Sequence, residues 1–173
     1  MSITKALLLV GLVFSTISAA SARNWYVKVE DDLFSETGKK AFLTSDNDFH
    51  PLIFECDSSG TEMALLEKSP QTRNETANNS SVVTLILKVD SADPIRFNAS
   101  WYRRNENYTQ IIVSDNDYAA EVLTVLKQIQ AARSKILVGV VLPSGQKFSE
   151  AIGVSGSTAS TTTFMDACGI STH

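Results

Sequence analysis

Apolar and polar residues alternate along much of the chain, and a period of two residues is typical of β-strands with one buried face. The segments that show this pattern, or a short apolar run, are residues 25–30, 40–44, 52–56, 62–67, 82–89, 95–102, 110–113, 136–142 and 147–152. Because the connections between them are too short for parallel crossovers, we expect antiparallel pairing in a sheet or a sandwich. The polar stretch 68–80 is predicted to be an exposed loop.

The period changes near residue 114, where a helix is predicted to begin. Ser114, with the acidic Asp117 three positions later, is a capping-box pattern, because the hydroxyl accepts a hydrogen bond from an unpaired amide at the helix start. The apolar residues that follow recur at steps of three and four. This spacing predicts a helix over about residues 115–132, with one stripe packed on the sheet. The stripe consists of Tyr118, Val122, Val125, Leu126 and Ile129.

The stretch 153–163 is rich in Ser, Thr and Gly, and we expect it to begin irregular and then to turn into a short C-terminal helix. It would bring Phe164, Met165 and Cys168 onto the sheet and end at Gly169, since glycine readily adopts the left-handed conformation of a helix terminus. The sequence therefore predicts an α+β fold dominated by antiparallel strands, with one main helix and a short C-terminal helix.

The first 22 residues have the features of a secretory signal peptide. One positive charge, Lys5, precedes an apolar run over residues 6–18, which is shorter than the roughly 20 residues that cross a bilayer. Ala20 and Ala22 supply the small residues that signal peptidase requires, so cleavage is expected before Arg23. We therefore predict a leader at residues 1–22 and one domain at residues 23–173. This domain would be periplasmic or secreted, with no membrane span after cleavage.

Export gives the two cysteines a structural role. Cys56 and Cys168 are the only thiols in the chain, and an oxidising compartment favours a disulfide between them. In the chain-entropy model, closing a loop of about 100 residues stabilises a fold by roughly 4.7 kcal/mol. A redox-active pair would instead need close spacing, such as Cys-x-x-Cys.

Composition and charge exclude several classes of function. The chain has 173 residues, 20% of them charged, and a formal net charge of −4. Removal of the leader makes this charge more negative, because the leader contributes only Lys5. A negative charge disfavours nucleic acid and anionic lipid surfaces as partners. Two Cys and two His are too few for a four-thiolate zinc site or a histidine-based metal site, and neither a metal nor another cofactor is predicted.

Two short motifs are weak matches to functional patterns. Residues 153–157, Gly-Val-Ser-Gly-Ser, differ from the Gly-x-Ser-x-Gly nucleophile elbow at the final Gly, and no strand-to-helix turn of the kind that the elbow requires is evident there. The Asp-Asn-Asp triplets at residues 46–48 and 115–117 lack the Gly and the distal Glu of a calcium loop. Neither motif predicts catalysis or metal binding.

The candidate binding residues form one short run. They are Trp101, Tyr102, Arg103 and Arg104. Aromatic side chains beside two guanidinium groups are typical of an interface anchor for a partner's carboxylates. The same run fits a strand with alternating core and solvent faces, which is the interpretation we favour.

Several short features occur in a characteristic order along the chain. They are a strand that begins at Trp25, an acidic turn that ends in Thr37-Gly38, Leu52-x-x-x-Cys56, a capped helix with Leu123 and Leu126, Pro143-Ser144-Gly145, and Phe164-x-x-x-Cys168-Gly169. This layout, over about residues 24–170, resembles the VasI-type accessory proteins of bacterial type VI secretion clusters. The resemblance implies a small exported envelope protein with no established catalytic residues. Exported proteins of the invasion-associated locus B type are a weaker resemblance.

Two main classes of function follow. The first is a non-enzymatic exported accessory domain that binds another envelope or secreted protein. One form of it is an inhibitor of a cationic envelope enzyme such as lysozyme, which a negative surface would attract. The second class is a hydrolase that uses carboxylates alone, such as Asp31 or Asp32 with a distant acid. A small-ligand carrier is the remaining alternative. We favour the first class, because the sequence contains no recognisable catalytic constellation.

Overall fold

A computed structural model describes residues 24–47, 50–70 and 80–170 of the chain, apart from the side chains of residues 114–116. The predicted leader, residues 1–22, and the capping hydroxyl of Ser114 lie outside the described residues, as does most of the predicted loop 68–80. These expectations therefore stay predictions.

The strands and helices follow one another in the predicted order. They are β1 (Trp25–Asp31), β2 (Lys39–Ser45), β3 (Leu52–Asp57), β4 (Gly60–Lys68), β5 (Ser81–Val89), β6 (Ile95–Arg103), β7 (Tyr108–Ser114), α1 (Asp115–Ala131), β8 (Ile136–Val141), β9 (Lys147–Ile152) and α2 (Ser157–Ala167). The nine strands form one curled antiparallel sheet in the order β1-β2-β3-β4-β7-β6-β5-β8-β9. The expected antiparallel, β-dominated fold is confirmed, and of the two alternatives the strands adopt the single sheet.

One face of the sheet, here called the inner face, carries the core. Alternate side chains of each strand point to it, as in β5, where Val83, Leu85 and Leu87 are buried. Cross-strand pairs such as Phe54 and Met63 continue the buried surface from one strand to the next. The residues between them point to the opposite face, here called the outer face.

Both helices lie on the inner face. The predicted stripe of α1 is confirmed, because Val122, Leu126 and Ile129 are buried in the same cluster as the sheet side chains. Helix α2 contacts α1, β1 and β2, and its Phe164 ring meets the Phe54 ring edge-on at 6.3 Å between centroids. This mutual burial removes apolar surface from water and so supplies the main stabilising term. Neither described helix has the length and apolar composition of a membrane span.

The strands β1 and β9 lie at opposite edges of the curled sheet, and the start of β1 contacts the chain just beyond β9. The Trp25 indole Nε1, at the start of β1, donates a hydrogen bond to the Gly153 carbonyl, just beyond β9 (2.8 Å). The Asn24 N–H donates to the Ser155 carbonyl (2.8 Å), and the Ser160 hydroxyl on α2 donates to the Trp25 carbonyl (3.0 Å). These bonds hold β1 against the β9–α2 connection, and they help to set the curl of the sheet.

A disulfide bond ties the end of α2 to β3. Cys56 lies on the inner face of β3, and Cys168 directly follows α2, with 6.1 Å between their Cα atoms. The structure thus contains the expected pair, and it shows what the bond does. It fastens the C-terminal helix to the sheet face that the helix covers.

Replacing Cys56 and Cys168 with serine should lower the free energy of unfolding by about 2–5 kcal/mol, because the bridge no longer restricts the unfolded chain. Urea unfolding followed by circular dichroism measures the change. The reduced wild-type protein is the matched control, since it lacks the bond but carries no new side chain. A reduced protein as stable as the oxidised one would contradict this role.

Asp90 joins the β5–β6 turn to the α1–β8 connection. Its carboxylate accepts hydrogen bonds from the N–H groups of Arg133 (2.7 Å), Ser134 (2.9 Å) and Lys135 (3.0 Å), and from the Ser134 hydroxyl (2.6 Å). The Ser134 hydroxyl, followed by the backbone amides, holds the pKa of Asp90 well below its usual range. The residue also has a φ of 49°, a left-handed conformation that Asp and Asn tolerate.

Asp90→Asn should lower the melting temperature at neutral pH, because the amide cannot supply the charged acceptor for four donors. The pKa of Asp90 is lower in the folded state than in the unfolded state. The carboxylate therefore stabilises the fold at pH values above its unfolded-state pKa, and this stabilisation is lost as the pH falls through its folded-state pKa. The difference in melting temperature between wild type and variant should therefore shrink as the pH falls below about 4. Thermal unfolding across this range is the measurement, with the exposed Asp93→Asn as control. A difference that is constant down to about pH 2 would contradict the assignment.

Candidate functional site

The most exposed large apolar side chains in the described part of the chain lie in the loop between β1 and β2. Leu33 is 94% exposed and Phe34 is 83% exposed, and the next most exposed is Val82 on β5, at 69%. We call Leu33 and Phe34 the apolar tip. Adjacent apolar side chains that remain in water at a loop end are a candidate protein-binding feature.

Hydrogen bonds hold the backbone of this loop in a defined conformation. The Asp32 N–H donates to the Gly38 carbonyl, and the Gly38 N–H donates to the Ser35 carbonyl, both at 3.0 Å. The Asp32 carboxylate accepts from the Phe34 N–H (3.0 Å), and the Ser35 hydroxyl donates to the Lys39 carbonyl (2.6 Å). A loop that is already held in this way loses less conformational entropy when it binds a partner.

Charged side chains of both signs lie near the apolar tip. The nearby carboxylates of Glu30 and Asp31 are paired with lysines, for example Asp31 with Lys39 at 2.5 Å, and hydrogen bonds from these lysines lower the pKa of both carboxyls. Asp32 and Glu36 form no ion pair with another described residue. The tip is therefore apolar at its end, and Asp32 and Glu36 are nearby carboxylates that no described lysine pairs.

A polar cleft of about 290 Å³ lies beside the loop. Its walls are the loop itself, the β3–β4 turn and the disulfide. In that turn the Asp57 carboxylate accepts hydrogen bonds from the Ser59 hydroxyl (2.5 Å) and N–H (2.7 Å), which lower the pKa of Asp57. Hydroxyl groups, Glu36 and Lys39 also line the cleft. Such a surface can form hydrogen bonds at the polar rim of a protein interface.

The segment after α2 contacts the loop. Gly169 has a φ of +65°, and a Cβ placed on it would lie 2.9 Å from the Thr37 Cγ2 atom. Both the backbone conformation and the close approach therefore require glycine. Because Cys168 precedes Gly169, the disulfide holds in place the segment against which the loop packs.

Three of the four residues predicted as binding candidates lie at the end of strand β6, and Arg104 directly follows it. Trp101 packs against the core from the inner face, and Tyr102 is 36% exposed on the outer face. Arg103 donates a hydrogen bond to the Ser69 carbonyl. Arg104 donates to the Glu55 carboxylate and to the Gln110 side chain, which lies 2.9 Å away. Binding of a partner by residues 101–104 stays a prediction.

A histidine and a carboxylate meet near β9, away from the β1–β2 loop. The His50 Nδ1 lies 3.2 Å from the Glu150 Oε2, and the His50 ring packs against Phe148 with 6.2 Å between centroids. Ser155, in the motif at residues 153–157, lies in the connection from β9 to α2.

The acidic residues of the hydrolase alternative have other roles in this structure. The Asp31 side chain is 87% exposed, and its pKa is lowered, whereas a general acid needs a raised pKa. Asp32 accepts the Phe34 N–H in the loop. Within residues 24–47, 50–70 and 80–170, no group of three or more His, Cys, Asp or Glu side chains is placed to hold a metal ion.

The predicted acidic turn over residues 31–38 contains the apolar tip, which the sequence prediction did not identify. The signal was present, because Leu33 and Phe34 are adjacent large apolar residues in a polar turn. Only the structure shows that no other part of the described chain covers them, since a turn can also fold its apolar residues back onto the core.

Comparison of the chain with protein-family models, with curated proteins and with solved structures finds no match. The candidate site therefore depends on its own geometry alone.

Gly169→Ala should lower the free energy of unfolding by about 1–2 kcal/mol from backbone strain, and by more because the new Cβ meets Thr37. Gly145→Ala is the matched control, because Gly145 also has a positive φ, of +83°, but has no atom within 4 Å of an added Cβ. Gly169→Ala should lose more unfolding free energy than Gly145→Ala. Adding Thr37→Ser to Gly169→Ala should remove this extra loss, since serine lacks Cγ2. Urea unfolding measures all three variants, and equal losses for Gly169→Ala and Gly145→Ala would contradict the contact.

Proposed function

We propose that this protein is a non-enzymatic exported domain that binds another protein through the apolar tip. The single observation that carries the proposal is the exposure of Leu33 and Phe34, at 94% and 83%, on a loop held by its own hydrogen bonds. Aromatic side chains that enter a partner's pocket commonly supply much of the binding energy of an interface. The polar cleft beside the loop would form the hydrogen-bonding rim around that anchor.

The carboxylates at the base of the tip support a partner with a cationic surface. Asp32 and Glu36 favour a surface that surrounds an apolar pocket with Lys or Arg, because complementary charges speed the encounter of two proteins. Inhibition of a cationic envelope enzyme such as lysozyme is one form of this function. The Cys56–Cys168 disulfide is compatible with an oxidising compartment, where such a partner would be met.

An accessory role in type VI secretion is a narrower form of the same proposal. It follows from the resemblance to VasI-type proteins, which stays a prediction. Neighbouring genes that encode sheath and membrane-complex components of the secretion machine would support it. Gene neighbours without such components would count against it.

A photo-reactive phenylalanine analogue at position 34, in cells that make this protein, should cross-link to a partner protein. The same analogue at Val82, which is also exposed, should not give that product.

With the partner identified, Phe34→Ser should weaken binding at least about tenfold, or ~1.4 kcal/mol, because it removes the anchor. Isothermal titration calorimetry measures the affinity, and Val82→Ser is the control. Equal binding by Phe34→Ser and wild type would contradict the proposal.

A further inference from the structure

The outer face of strands β6, β5, β8 and β9 carries cations and no carboxylate. These strands contain one acidic residue, Glu150, whose pairing with the core residue Val138 places it on the inner face. Arg96, Lys88 and Lys147 lie on the outer face, and none forms an ion pair with another described residue. A protein with a formal net charge of −4 thus has a locally basic surface.

An apolar groove of about 290 Å³ opens on this basic face. Its lining includes Ile86, Gly139, Val141 and Lys147. In the sheet register, Gly139 lies between Ile86 on β5 and Ser149 on β9. Because glycine has no side chain, the surface of the sheet is recessed at this position.

Cations flank the groove on both sides. Arg96 on β6 is the register partner of Ile86, and Lys147 on β9 is the register partner of Val141. Neighbouring strands are about 4.8 Å apart, so both charges lie within reach of carboxylates beside a side chain in the groove. The ligand that fits is an apolar side chain with acidic neighbours in its own sequence.

We propose that the groove of one copy of this protein binds the apolar tip of a second copy. The tip has the required chemistry, because Asp32 precedes Leu33 and Phe34, Glu36 follows them, and neither carboxylate forms an ion pair with another described residue. Phe34 is 83% exposed, so it does not occupy the groove of its own chain. This inference rests on the proposed function, since it names the partner of the same tip.

The contact is heterologous, because the tip and the groove are different surfaces of the molecule. Each copy offers one tip and one groove, so copies join head to tail into a ring or an open chain. One loop in one groove buries a small area, and small interfaces are weak and transient. Association should therefore depend on protein concentration and on salt.

Sedimentation velocity of the purified, disulfide-bonded protein at low salt should show association that grows with concentration and decreases near about 0.5 M salt. Phe34→Ser removes the tip, and Gly139→Val fills the groove, so each should lower the association constant at least about tenfold. A Cβ at Gly139 meets no atom closer than 3.7 Å, so the strand has room for the first atom of the new side chain, and circular dichroism checks that the variant is folded. Val82→Ser, outside the groove on the outer face, is the matched control and should associate like wild type.

Mixing the two variants gives the sharpest measurement. Phe34→Ser keeps an intact groove and Gly139→Val keeps an intact tip, so together they should form a one-to-one heterodimer although neither associates alone. A mixture that stays monomeric would overturn the inference, as would a Phe34→Ser protein that associates like wild type.

Failure of this inference is distinguishable from failure of the proposed function. If the wild type stays monomeric while the analogue at position 34 cross-links to a different protein, the tip is an anchor and the second-copy inference is overturned. If the analogue at position 34 cross-links to another copy of this chain, the second-copy inference is supported. If the wild type stays monomeric and no cross-link forms, both proposals are overturned.

Discussion

Burial of the inner face of one curled sheet against two helices is the interaction on which the rest of the structure depends. The strands place large apolar residues such as Phe54 and Phe97 on that face, and α1 and α2 remove them from water. The outer face and the loops at the sheet ends are then left for contacts with other molecules. Both surfaces that we assign to binding, the β1–β2 loop and the Gly139 groove, lie outside this core.

A chain of contacts joins the core to the apolar tip. The disulfide fastens Cys168 to β3, and the next residue, Gly169, packs against Thr37 in the β1–β2 loop. The loop in turn holds Phe34 through the Asp32 carboxylate. The disulfide therefore anchors both the C-terminal helix and the segment against which the β1–β2 loop packs.

Local charge differs from the charge of the whole chain. The formal net charge of −4 suggests a uniformly acidic protein. The outer face of β6, β5, β8 and β9 nevertheless carries cations, whereas the carboxylates of Asp32 and Glu36 lie beside the apolar tip. Electrostatic steering depends on such local fields as well as on the total charge. This separation of charges is what makes contact between two copies of an acidic chain physically reasonable.

The sequence by itself determined the number and type of most elements, because alternation in strands and the stripe of α1 follow from backbone geometry that acts over a few residues. It also indicated the Cys56–Cys168 pair, since two thiols in a chain that is predicted to be exported leave one pairing. Only the tertiary structure decided that β4 lies beside β7, that Trp25 reaches Gly153, and that Leu33 and Phe34 stay in water. The sequence could not settle these, because such contacts join residues far apart in the chain and depend on how all the elements pack together.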